Sequence, residues 1–149
     1  MSAALKSQVF QSPKEPIVDM QTRMECQNML AALLERTPAI RFASMATVDG
    51  RSYAHSNAIA QEANAQRSAA IMSSLMALTE SFSREALGSQ AHYSSIATDY
   101  GSIVMVRVPS KAKLHTLCVC ADATENLAMT IRCALDTAAL LAAKIDNGH

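Results

Sequence analysis

A chain of 149 residues, half of them hydrophobic, can hide roughly two-thirds of its unfolded surface and hold one core without staples. Thirteen Lys and Arg balance thirteen Asp and Glu, with no basic block denser than Lys111 and Lys113, so the field that draws nucleic acid or anionic lipid is absent. The longest uncharged apolar stretch, residues 68 to 79, falls short of a spanning helix and the start lacks a signal-peptide core, so a cytoplasmic protein with no membrane partner is expected.

Residues 1 to 17 place Pro13 and Pro16 among Ser, Gln and Lys without an apolar period, which predicts a flexible arm. One domain is expected over residues 18 to 145, with a frayed tail over 146 to 149. Met20, Met24, Leu30, Leu33 and Leu34 recur at helical spacing, with Asp19 as N-cap or Thr22 and Glu25 as a capping box; Pro38 ends this first helix. Residues 40 to 47 and 51 to 56 read as a hairpin turned at Val48-Asp49-Gly50, where Gly50 supplies a positive φ.

A segment rich in Ala, Met and Leu follows, predicting a long helix that begins between Asn57 and Asn64 and ends at a Gly88 cap. Three strands fit SQAHYSSIAT, SIVMVRVP and KLHTLCVCA, divided by turns at Asp99-Tyr100-Gly101 and Pro109-Ser110. Asp122 or Thr124 opens the last helix, whose apolar stripe is Leu127, Ile131, Ala134, Leu135, Ala138 and Leu141. The fold class is therefore α+β: a five-stranded antiparallel sheet in helix-strand-strand-helix-strand-strand-strand-helix order, with the first and last helices on one face and the long helix on the other.

The long helix carries no charge between Arg67 and Glu80, and two stripes run along it about 100° apart. Ile71, Leu75, Leu78 and Phe82 are bulky and are expected to fill the surface of the sheet. Ala65, Ala69, Met72, Met76 and Thr79 are small or adaptable and are expected to meet a second copy of the helix across a two-fold axis.

Chemistry-bearing residues are sparse. His115 is the nearest base to Cys118 and Cys120, but strand alternation turns it to the opposite face, so buried reduced thiols are expected rather than a nucleophile. His55 and His92 have no carboxylate or Cys at ligand spacing, and nucleotide-cradling and nucleophile-elbow motifs are absent, so neither metal nor cofactor is expected and no catalytic residue is assigned. Asp49 before Gly50 reads as turn geometry.

Taken in order, LLERTPAI, FASMATVDGRS, AQRSAAIMSSLMALTESFSREALG, GSIVMVRV, LHTLCVCA and ENLAMTIRCAL resemble the roadblock/dynein-light-chain family, bacterial members of which include regulators of Ras-like GTPases. The likeness spans roughly residues 22 to 143 and departs from the family pattern at Ala39 and Ala128, where glycine is common. It implies a profilin-like fold and a homodimer in which the third strands pair through a segment containing His92, Ser94 and Ile96, with the second helices side by side. It further implies a non-enzymatic scaffold or regulator whose partner is a small Ras-like GTPase or another roadblock-type protein. A small-molecule sensor or other protein-interaction module of similar fold is the alternative.

Overall fold

Three helices and five strands make up the computed structural model, which describes residues 17–56 and 62–148. In chain order they are α1 (Ile17–Arg36), β1 (Ile40–Thr47), β2 (Ser52–His55), α2 (Glu62–Leu87), β3 (Ser94–Thr98), β4 (Gly101–Arg107), β5 (His115–Asp122) and α3 (Leu127–Asn147). The expected N-terminal arm, apart from Ile17, lies outside the described residues, as does part of the range in which α2 was expected to begin.

All pairings in the sheet are antiparallel, in the order β2-β1-β5-β4-β3, so β5 is inserted between the two hairpins and the edges are β2 and β3. Strand alternation then divides the core. On one face Cys26, Leu30 and Leu33 of α1 and Ala134, Ala138 and Leu141 of α3 pack over Ala43, Val104, Leu117 and Val119. On the other, α2 lies over Ala46, Met105 and Cys118. The architecture expected from the element order is the one observed.

Local chemistry fixes the joints. Thr47 N donates to Arg51 O at 2.8 Å and Gly50 N to Thr47 O at 3.0 Å, closing the β1–β2 turn with Gly50 at φ 89°. Thr47 Oγ1 donates to the Asp49 carboxylate within that turn, so Asp49 serves the geometry of the hairpin. Gly88 stops α2 at φ 66°, its N–H donating to Arg84 O at 2.9 Å.

Several boundaries differ from expectation. Strand β3 begins at Ser94, so His92, expected on the strand, lies in the connector before it, and Thr22 and Glu25, expected as a capping box, lie inside α1. Ile17 is already helical, so Asp19 sits in the first turn of α1, where its charge favours the helix dipole, and is not the cap. Asn126 caps α3 by accepting from Met129 N at 2.8 Å, while Asp122 ends β5 and accepts from Thr124 N and Arg41. Helix α3 continues through Asn147, with Gly148 N donating to Ile145 O.

Candidate interaction surface

The inner face of α2 determines what its outer face offers. Ala69, Met72 and Met76 are 3%, 5% and 0% exposed and pack on Ala46, Met105 and Cys118 of the chain's own sheet. Ser44 donates its hydroxyl to Met72 Sδ at 3.4 Å, and Ser73 donates to Thr47 O at 2.7 Å, drawing the helix close to the strands.

This corrects the expected division of the helix. Ala69, Met72 and Met76 are core, and Ile71, Leu78 and Phe82, expected to fill the sheet surface, stand 55%, 66% and 73% exposed; Leu75 is half-buried between the two faces. The physical reason lies in the sheet. Its α2-facing side is paved with Ser44, Ala46, Met105 and Cys118, a surface of small and sulfur-bearing residues that a helix approaches closely only through Ala and Met. Ala65 and Thr79 are half-buried at the margins of the inner stripe.

A buried ion pair, not anticipated from the sequence, secures the same helix. Arg107 and Glu80 meet at 2.5 Å with side chains only 16% and 11% exposed; the guanidinium also donates to Thr116 Oγ1 at 2.8 Å, and Gln90 donates to Glu80 at 3.3 Å. The Arg107 hydrogen bond holds the Glu80 carboxyl below its ordinary range. The signal was present: Glu80 follows Met72 and Met76 at helical spacing, and Arg107 follows Met105 at strand spacing, so acid and base project into one layer.

Strand β3 is an open edge of the sheet. It pairs with β4 from Ser94↔Met105 through Ile96↔Ile103 to Thr98↔Gly101, and its other edge has no strand partner among the described residues. His92 and Ile96 are exposed and Ser94 is half-buried. Tyr93 and Tyr100 add exposed aromatic area at either end of the strand. Ile71, Leu78 and Phe82, at positions i, i+7 and i+11 of one helix face, and the open edge of β3 are two separate exposed features of the domain.

The titratable groups are held in structural roles. His115 meets Tyr53 edge-on, ring centroids 4.3 Å apart, on the α1 side of the sheet, and burial holds its imidazole below the ordinary value of 6.5. Cys118 and Cys120 lie on the α2 side with sulfurs 3.9 Å apart; the hydrogen bond with Cys120, together with burial, pushes the Cys118 thiol up. Burial likewise pushes Cys26 up to about 11. All four cysteines are free, and among the described residues no three His, Cys, Asp or Glu side chains gather at metal-binding distance. No helix among the described residues is long and apolar enough to cross a membrane.

No protein-family model and no curated protein sequence matches the chain. Solved structures do. A structure of MglB with tetrameric arrangement is similar at a TM-score of 0.71 and 16% identity, covering 86% of this chain and 93% of that one. The gliding protein MglB from Thermus thermophilus gives 0.70 at 16% identity, covering 92% and 99%. A roadblock/LC7 domain from Streptomyces avermitilis gives 0.69 at 17% identity, covering 80% and 96%. At these identities the likeness is one of fold: the chain has the same fold as these MglB and roadblock/LC7 domain structures.

Proposed function

We propose that the chain is a non-enzymatic, homodimeric scaffold or regulator that binds a small Ras-like GTPase and alters its nucleotide cycle or its location without supplying a catalytic group. The observation that carries the reading is the outer face of α2, where Ile71, Leu78 and Phe82 remain exposed, on a domain whose sheet also has an open edge at β3. A stripe of that kind on a helix already anchored to its own sheet is surface in want of a partner.

The first partner is a second copy. Pairing of β3 with β3, as the roadblock resemblance implies, satisfies the open backbone edge of the Ser94–Thr98 strand and brings the two outer α2 faces together, with His92 at the end of the seam. The structural relative with a tetrameric arrangement supports self-association in a domain of this fold. The two α2 helices then form one broad platform, and a GTPase docked on it spans both subunits. The test is a two-part measurement: the mass of the protein in solution, and the nucleotide release and hydrolysis rates of small GTPases recovered from the native cell with and without the protein. A dimer that changes one of those rates, or relocates the GTPase in cells, is the expected result. A monomer, or a dimer that retains no small GTPase, overturns the reading.

A further inference from the structure

Pairing between β3 and β4 ends at Ser94↔Met105, so Val106 and Arg107 run on past the edge strand. In the space left there, between α3 and the end of β4, lies a cavity of about 320 Å³ bounded by residues 90–92 of the α2–β3 connector. Its apolar wall is Val106, Leu135 and Ala138, and Pro109, His92 and Lys113 complete it.

Charge and geometry both favour an anion. Among the described residues that line the cavity none is acidic. Arg107 also lines it, but its guanidinium is committed to Glu80 and Thr116, which leaves Lys113 as the cation without such a counterpart in the wall. Lys113 is also the one described non-glycine residue at positive φ, 53°, its N–H donating to both Ser110 O and Ser110 Oγ at 3.2 Å. Lys113 joins the cavity wall from this turn. Leu135, which helical periodicity places in the apolar stripe of α3, is left partly exposed there.

We propose that this cavity binds a small organic carboxylate, the anionic end at Lys113 and His92 and the aliphatic body against Leu135, Ala138 and Pro109. At the ~30 Å³ a water occupies, the volume has room for about ten non-hydrogen atoms, which suits a short-chain acid. The proposal needs no GTPase, and it shares His92 with the end of the proposed dimer seam.

Sodium hexanoate is the probe, followed by amide chemical shifts in the full chain, with hexan-1-ol and hexylammonium as neutral and cationic counterparts. The expected result is saturable shifts at Ala91, Arg107, Lys113 and Leu135, with a dissociation constant on the order of a few mM for a ligand so small. Lys113→Met should weaken binding by about tenfold. Lys111→Met should not, since Lys111 is absent from the cavity wall and its backbone N–H is held by Asp146. No saturation by about 50 mM, hexanol or hexylammonium binding as well as hexanoate, or equal losses in the two lysine variants would each overturn the proposal.

Discussion

Two substitutions on one helix, Phe82→Glu and Met76→Ala, separate the roles of its faces. Phe82 is 73% exposed. Fully burying a phenylalanine is worth about 1.5–3 kcal/mol, so the area still open is worth about 1–2 kcal/mol per subunit. A two-fold seam counts it twice, and the resulting 2–4 kcal/mol corresponds to about a 30- to 1000-fold weaker dimer. Replacement by Glu adds a desolvation cost and places two like charges near one another, so the loss should reach the upper end. The isolated domain should hardly notice, because that ring packs on little of its own chain. Met76 is the converse: it is fully covered, and truncation removes three heavy atoms from the layer between α2 and the sheet. The expected cost is about 2–3 kcal/mol of folding stability, at the lower end for such truncations because neighbouring Met72 and Met105 can adjust. Light scattering gives the mass and urea unfolding followed by circular dichroism gives the stability. A Phe82→Glu protein that keeps wild-type dimer affinity, a wild type that is monomeric at tens of micromolar, or a Met76→Ala protein of unchanged stability would refute the reasoning.

Arg107→Met should cost about 3 kcal/mol in urea unfolding, since it strands the Glu80 carboxylate beneath α2, and much of that loss should return in the Arg107→Met, Glu80→Leu double variant; a single variant within about 0.5 kcal/mol of wild type would show that the pair is idle. Because burial lowers the folded-state value of His115, below 6.5 the unfolded chain takes up a proton that the folded chain refuses. Stability should therefore fall as pH drops from about 6.5, by at most about 1.4 kcal/mol per pH unit from this group, and His115→Phe should remove that part of the slope; an unaltered slope between about pH 7 and 5 would count against it. The Glu80 contribution has the same sign but is lost only as pH falls below its ordinary value of 4.5. Gly101→Ala would drive a Cβ into the Ala121 carbonyl oxygen and should lower stability by several times the ~1 kcal/mol expected for Gly88→Ala, where a Cβ meets nothing within 4 Å; equal thermal shifts would contradict the close approach of β4 to β5.

Periodicity and turn chemistry determined the elements of this protein. Gly50 and Gly88 marked a turn and a helix end because few residues other than glycine adopt those backbone angles, and alternation along β5 put His115 and Cys118 on opposite faces before any contact was known. Such information is local, carried by a residue and its near neighbours in the chain. Tertiary structure decided which of two apolar stripes on α2 meets the sheet. Both stripes are apolar, so the hydrophobic effect alone does not choose between them. The choice depends on the shape of the opposing surface, and that surface exists only once Ala46, Met105 and Cys118 come side by side from three strands distant in sequence. Glu80 and Arg107 lie 27 residues apart, and their pairing at the end of the same layer fixes how α2 sits. That seating leaves Ile71, Leu78 and Phe82 facing outward, so the candidate interaction surface follows from how the chain packs, while the helix bearing it was legible in the sequence.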